Sequence, residues 1–311
     1  MSELTPESGP PLLTVACTSY NHASTIDQTM EGFAIQKTRF PFEIVVHDDA
    51  STDETQLKLQ AWQRRLGARV RLILQPKNVW INTGVSATVT ELWPSIRSRY
   101  IAWCEGDDFW VDPLKLQKQV DALEAHPESV ICFHRVKLMD QTGALFEDRI
   151  TNVPEDYSKL ESYLLKGNYI HTPSVVFRNV LKEYPPQLAV SPIGDFFLFA
   201  LLAQHGKLLK LEDVMAVYRC SGGTFSGRPR SEQLWTWIRS LELMHSCVDS
   251  RLRDILRSRI LEARLQLVQA ELQGCSSEDW KRVIPARIAA AALMEAVRRR
   301  ARAVFRRSPP S

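Results

Sequence analysis

Apolar runs of five to seven residues alternate with stretches of helical period through the first 140 residues of the chain. Leu12–Thr18, Phe42–His47, Val70–Leu74, Tyr100–Cys104 and Val130–Val136 are rich in β-branched and apolar residues, which predicts five buried strands. Between them the period changes. Ile26, Met30 and Phe33 recur at spacings of four and three, so a helix follows the first strand, with Ser24 as its cap. Ser51 followed by Glu54 carries the pattern of a capping box and opens a second helix towards Leu66. A helix through Glu91–Ile96 precedes the fourth strand. Pro113 stands at a predicted first helical position, with Leu114–Ala125 continuing it. Strands and helices in this alternation imply an α/β fold: a Rossmann-like, mainly parallel sheet with helices on both faces.

The second half is less regular. It predicts a helix near Tyr157–Lys166, a strand near Ser174–Arg178, a helix over Asp195–His205 and a strand at Val214–Arg219, followed by the loop Ser221-Gly222-Gly223-Thr224. From Ser231 to Gln273 the pattern is wholly helical. Leu234, Ile238, Leu241 and Met244 stripe one helix, and Leu256, Ile260, Ala263, Leu267 and Ala270 another. The expected organisation is a disordered N-terminus (1–10), an α/β domain (11–228), a helical hairpin (229–280) and a basic tail (281–311). The hairpin packs on the body or on a second subunit, so these C-terminal helices offer a homo-oligomer contact.

Composition narrows the class. With 311 residues, 44% apolar and 24% charged, the chain is globular and long enough to bury a large core. The net charge of +3 is unevenly placed: Lys281–Ser311 carries nine basic residues and one acid, which leaves an acidic body. That balance speaks against nucleic acid as a partner. On a helical projection of the tail, Ala290, Met294, Val297, Ala301 and Val304 share one face, with Arg298, Arg299, Arg302 and Arg306 opposite. Such a helix suits peripheral contact with an anionic membrane surface, or docking on the acidic body. The six cysteines are at least 27 residues apart, without zinc-type spacing, and fit a reducing cytoplasm. No leader pattern opens the chain and no apolar run is long enough to span a bilayer, so the expected location is cytoplasmic, peripheral on the inner face of the membrane.

The chemistry collects where strands end, which is where open α/β sheets bind ligands. Thr18, Ser19, Tyr20 and Asn21 follow the first strand. Asp48, Asp49, Ala50 and Ser51 follow the second, and Glu105, Gly106, Asp107 and Asp108 the fourth. Carboxylates this close repel one another, and a divalent cation relieves the conflict; hard oxygen ligands suit Mg²⁺ or Mn²⁺. The plainer alternative is turn and capping aspartates. No GxGxxG, GxxxxGK[ST], GxSxG or HExxH motif is present. A nucleotide's diphosphate would therefore need a metal ion and side chains for neutralisation.

Two motifs carry a resemblance. Val45-Val46-His47-Asp48-Asp49-Ala50-Ser51-Thr52-Asp53-Glu54-Thr55 and Tyr100-Ile101-Ala102-Trp103-Cys104-Glu105-Gly106-Asp107-Asp108-Phe109-Trp110 together resemble the family 2 glycosyltransferases. These are inverting enzymes of GT-A fold that use nucleotide-sugar donors. The likeness runs from Leu13 to about Ser226 and includes Tyr20-Asn21 and Asp112-Pro113-Leu114-Lys115-Leu116.

The resemblance implies roles. Thr18 and Tyr20 line the nucleobase side, and Asp49 contacts base or ribose with Asp48 beside it. Glu105 faces ribose or metal, Asp107 binds the metal and Asp108 borders the donor sugar. Glu105 stands where the family pattern has Asp. Asp195, in Gly194-Asp195-Phe196-Phe197, takes the place of the general base, where capping of the following helix is the plainer role. Arg219 approaches the diphosphate, and Ser221 stands where a histidine ligand is expected. Asn168-Tyr169-Ile170-His171-Thr172-Pro173-Ser174 leads into a strand and lines the acceptor side, and its His171 is either an acceptor contact or a structural histidine. The implied cofactor is Mn²⁺ or Mg²⁺. The implied partners are a nucleotide-sugar donor, UDP-linked by family weight, and a glycan or lipid-linked acceptor in polysaccharide, lipopolysaccharide or glycolipid assembly. A nucleotidyltransferase on a related scaffold, or a non-catalytic sugar-nucleotide-binding protein, are the rival readings. Thr18–His22 lacks the Gly, Lys and Arg expected of the first.

Overall fold

The computed structural model describes residues 9–220 and 228–273, which form two compact units. In chain order the first unit contains β1 (Leu13–Ser19), α1 (Ile26–Ala34), β2 (Phe42–Asp48), α2 (Thr55–Leu66), β3 (Val70–Leu74), α3 (Val79–Thr83), α4 (Trp93–Ser95), β4 (Tyr100–Glu105), β5 (Phe109–Trp110), α5 (Lys115–Ala125), β6 (Ser129–Met139), β7 (Leu145–Glu147), α6 (Leu160–Lys166), β8 (Val176–Arg178), α7 (Pro186–Ala189), α8 (Gly194–Leu202) and β9 (Lys207–Arg219). The second contains α9 (Arg230–His245) and α10 (Arg253–Gln273). The expected basic tail lies outside the described residues, as do Ser221 and the glycines beside it.

The strands join one sheet in the order β3-β2-β1-β4-β8-β6-β9-β5, with β7 paired to β6. Pairing is parallel from β3 through β4 and again between β6 and β9; β8 and β5 join antiparallel. The central strand β1 is buried along nearly its whole length, which suits its unbroken apolar run. Its register sets Ser19 opposite Asp48 and Thr18 opposite Glu105, so three strand ends meet at one rim.

Helices pack on this sheet by their apolar stripes. On α1, Ile26, Met30 and Phe33 are buried, and Phe33 meets the Trp110 ring at 4.6 Å between centroids. Gly32 allows that approach, because a Cβ there would sit 2.8 Å from the Trp110 backbone nitrogen. Helix α8 is apolar all round, and Phe196 through Leu202 are buried, as a helix of that composition must be.

Three local expectations change. Helix α1 begins one residue after Thr25, not Ser24, and no side chain caps it. Ser51 and Glu54 form no capping box, since α2 opens at Thr55 and Ser51 is engaged elsewhere. Helix α5 starts at Lys115, two residues beyond Pro113. In the second unit, α9 and α10 pack together through Leu234, Ile238, Ala263 and Leu267, with Trp237, Ile260 and Ala270 at the margin. No described helix is long and apolar enough to cross a membrane.

Candidate active site

Two loops at the rim are laced to each other. Asn21 donates its backbone N–H to Ser51 Oγ at 2.8 Å, and its side-chain Oδ1 accepts from the Thr52 N–H at 2.8 Å. The His22 N–H donates to Thr55 Oγ1, and the Ala23 N–H to Asp53 Oδ2. Asn21 and Ala50 both have positive φ, 56° and 59°. For Ala50 that backbone is costly, and such strain concentrates at functional sites.

Asp48 and Asp49 serve this scaffold in different ways. Asp48 is fully buried; its oxygens accept from the Ser51 N–H (2.9 Å), Ser51 Oγ (2.5 Å) and Gln56 Nε2 (2.7 Å). Asp49 accepts from the Val79 N–H at 2.7 Å and the Trp80 N–H at 3.2 Å, which ties the loop to the first turn of α3. Tyr20 lies exposed beside them, and Thr18 accepts the Gly106 N–H on its carbonyl at 2.8 Å.

The acidic turn between β4 and β5 is held from below. Thr25 Oγ1 donates to Gly106 O at 2.9 Å, and Thr29 Oγ1 to Gly106 O at 3.0 Å and Asp108 O at 2.7 Å. Thr25 and Thr29 thus anchor the acidic turn, and neither caps the helix. Gly106 has no room for a side chain: a Cβ would sit 2.6 Å from His22 Nδ1 and 3.2 Å from Ser19 Oγ. Arg219 clamps the other side. Its N–H donates to Asp108 Oδ1 at 2.8 Å, and its guanidinium donates to Asp107 O and Gln28 Oε1 while lying over the Phe109 ring.

Glu105, Asp107 and Asp108 present ligating oxygens within 4.8 Å of one another. Asp107 Oδ1 and Asp108 Oδ2 are buried and find no donor among the described residues. Buried carboxylate oxygens without partners are costly, so this arrangement calls for a positive group. Burial, then the charges of Asp107 and Asp195, push the Glu105 carboxyl up to about 8. Burial, then Asp107, raises Asp108 as well, against the bond from the Arg219 N–H. Three hard oxygen donors, crowded and electrostatically unsatisfied, fit a hard divalent cation.

Asp195 opens α8 and lies near enough to Glu105 for their charges to interact. Burial raises its carboxyl, while the Phe196 N–H and Asn168 oppose that rise. Asn168 Nδ2 donates to Asp195 Oδ2 at 2.6 Å. His171 has two partners: its Nε2 meets Asp148 Oδ2 at 3.1 Å, and its ring packs 4.5 Å from that of Tyr218.

Several rim groups escaped the sequence reading as candidates. Ser19 Oγ, His22 Nδ1 and Trp103 Nε1 are buried polar atoms without a partner among the described residues. Alternation along β4 gives some signal for Trp103, since it shares a face with Glu105 two residues on. Asn168 lies in the 168–174 segment expected on the acceptor side, but nothing in the sequence singles out its amide.

The sequence model described as glycosyl transferase family 2 matches residues 14–185, more than half of the chain. The chain belongs to that family. An uncharacterized protein of Mycobacterium tuberculosis is 37% identical over 207 residues, which cover 67% of this chain and 58% of the relative. The chain therefore spans little more than half of that relative's length. Among solved structures, Staphylococcus aureus TarS 1–349 in complex with UDP-GlcNAc aligns with a TM-score of 0.60 at 15% identity, covering 88% of this chain and 79% of that one. The mannosyltransferase PcManGT of Pyrobaculum calidifontis, in complex with GDP-Man and Mn²⁺, aligns with a TM-score of 0.55 at 16% identity, covering 95% and 84%. Both likenesses place the family 2 domain in the GT-A fold.

Proposed function

We propose that this family 2 protein transfers a sugar, with inversion, from a nucleotide-diphosphate sugar to an acceptor hydroxyl. The observation that carries the reading is the Glu105–Asp107–Asp108 cluster with two orphaned buried oxygens, in a family 2 chain that also sets a carboxylate at Asp195. TarS and PcManGT were solved with nucleotide sugars, the second with Mn²⁺, and both share this fold. UDP is the proposed nucleotide. The proposed acceptor is a glycan or a lipid-linked sugar in polysaccharide, lipopolysaccharide or glycolipid assembly.

The residues divide the work by position. Tyr20 and Thr18 border the nucleobase, and Asp49 orders the α3 turn beside it while Asp48 fixes the loop. Asp107 and Glu105 would hold Mn²⁺ or Mg²⁺, with Asp108 facing the donor sugar. When bound, that cation supplies positive charge to the departing diphosphate. Arg219 keeps the acidic turn in shape and adds a fixed positive charge nearby.

Asp195 accepts the acceptor's hydroxyl proton as the oxygen attacks C1 from the face opposite the phosphate. The new C1–O bond forms, the bond to the phosphate oxygen breaks, and nucleoside diphosphate leaves with the electron pair. The proton ends on Asp195. A raised carboxyl pKa helps it hold that proton, and deprotonation sets the acidic limb of the rate profile, so turnover rises with pH through the Asp195 pKa.

The test is a thermal-shift panel of UDP-Glc, UDP-GlcNAc, UDP-Gal and GDP-Man with and without Mn²⁺, followed by product analysis. A nucleotide sugar should raise Tm more strongly with Mn²⁺, and turnover should release nucleoside diphosphate. Asp107→Asn and Asp195→Asn should fold normally and lose about 10²- to 10⁴-fold in turnover. Release of pyrophosphate, or near-normal turnover in either variant, overturns the corresponding assignment.

A further inference from the structure

The acceptor side contains a second polar arrangement that the family motifs do not include. Asn168 lies just after α6, and its side chain connects three groups. Its Nδ2 donates to Asp195 Oδ2 at 2.6 Å, while its Oδ1 accepts from the Tyr163 hydroxyl at 2.9 Å and from the Ile170 N–H at 3.1 Å.

Chemistry alone fixes the direction of that amide. A flipped Asn168 would set its carbonyl oxygen against a carboxylate and its NH₂ against the Ile170 N–H, losing both of those hydrogen bonds, while the Tyr163 hydroxyl can turn to accept in either case. Tyr163 is itself immobile. It is fully buried, and its ring packs against Tyr169 at 5.1 Å and Phe196 at 5.0 Å between centroids. Burial, then the charge of Asp195, pushes its hydroxyl far up, so it remains a neutral donor at any working pH.

We propose that Asn168, locked by the Tyr163 hydroxyl, is the positioning residue that ties down one carboxylate oxygen of Asp195 and leaves the other to receive the acceptor proton. The inference rests on the reading of Asp195 as the base. A rigid Tyr163–Asn168–Asp195 chain holds that base on two sides, by the amide and by the Phe196 N–H of its own helix. Such alignment matters because a small misplacement of a reacting group costs far more in turnover than in binding. The charged or titratable groups facing Asp195 are Glu105 from β4, Tyr163 from α6, His171 from the segment before β8 and Tyr218 from β9. Among them Asn168 contributes an uncharged donor, which orients the carboxylate without adding charge to a crowded site.

The experiment has two arms. In the first, the side-chain amide resonances of Asn168 are compared between the wild type and Asp195→Asn by nitrogen–proton NMR. They should shift clearly, because the carboxylate acceptor has gone; unchanged resonances overturn the contact and the inference with it, whatever the activity. In the second, Asn168→Ala is assayed on the donor identified by the thermal-shift panel. Its kcat should fall about 10- to 100-fold with donor KM unchanged, and the acidic limb of the kcat profile should move to higher pH. Tyr163→Phe should shift both in the same direction by less, and Asn168→Gln should restore part of the loss. A variant that melts lower yet keeps kcat and the position of the limb shows a merely structural role and overturns the proposal. Asp195→Asn retaining turnover overturns the base assignment instead, a result that the first arm does not depend on.

Discussion

At the scale of single residues, the rim stores electrostatic strain. The Glu105 carboxyl, pushed up to about 8, stands well above its ordinary value of 4.5. Its folded pKa exceeds its unfolded one, so the folded protein binds more protons between those values. Stability of the metal-free protein then falls as pH rises from about 4.5 to about 8. Glu105→Gln should weaken that slope: with chelator present, its Tm at pH 8 should exceed that of the wild type by about 2–4 °C for each kcal/mol relieved. Melts at pH 5 and pH 8 decide the matter, and a variant melting at or below wild type at pH 8 shows that this carboxylate is not under strain. The same variant should bind Mn²⁺ more weakly, so stability and cation affinity move in opposite directions.

What the sequence could disclose here follows from the same physics. Adjacent carboxylates after an apolar run are conspicuous because they repel, and Asp48, Asp49, Glu105, Asp107 and Asp108 stood out for that reason. For Asn168 only the 168–174 segment was legible, as an acceptor-side stretch; its own role lies in a contact with a residue 27 positions away. Nor could spacing separate the loop-fixing contacts of Asp48 from those of Asp49 with α3. That distinction depends on which donors the fold delivers to each oxygen.

At the scale of elements, the start of α1 shows local preference giving way to tertiary need. Ser24 and Ser51 have the residue type and position of caps. Yet Thr25 and Thr29 direct their hydroxyls to the carbonyls of the acidic turn, and Ser51 bridges Asp48 and Asn21. These hydroxyls are oriented by the partners to which they donate, and no side chain accepts a capping bond at the start of α1. Thr29→Val keeps the shape and removes two of these bonds. It should cost about 1–3 kcal/mol, because buried carbonyls lose a donor, and it should raise the donor KM by loosening the turn. Urea unfolding and donor titration read the two effects. An unchanged midpoint together with an unchanged KM would mean that the turn keeps its form without Thr29.

At the scale of the molecule, the parallel half of the sheet was open to prediction because each strand is a short apolar run followed by a helix. The other half was harder. Strand β9 begins at Lys207, seven residues before the stretch that alternation marks, and its register with β6 slips at Arg135. Irregular pairing of that kind breaks the two-residue period on which strand recognition depends. The two-residue β5 is too short to leave a pattern at all. Beyond the α/β unit, nine basic residues against one acid between Lys281 and Ser311 are the basis for expecting contact with an anionic membrane surface, with docking on the acidic body as the alternative. Full-length protein should co-sediment with vesicles containing phosphatidylserine and release as salt rises from 50 to 500 mM, since roughly 1 kcal/mol per basic residue is screened. Equal binding to purely zwitterionic vesicles, or none to anionic ones, would remove the electrostatic basis for that contact.

One consequence concerns how the donor preference of such a rim can be altered. The middle of the Glu105–Asp108 turn is pinned between Ser19, His22 and Ile26, with no space for even one methyl group. Any side chain at position 106 must displace His22, so libraries that randomise the whole turn should be depleted there before any choice of sugar is tested. Variation placed at the exposed Tyr20, on the nucleobase side, leaves that turn intact, and it is there that new donor preferences are open to selection.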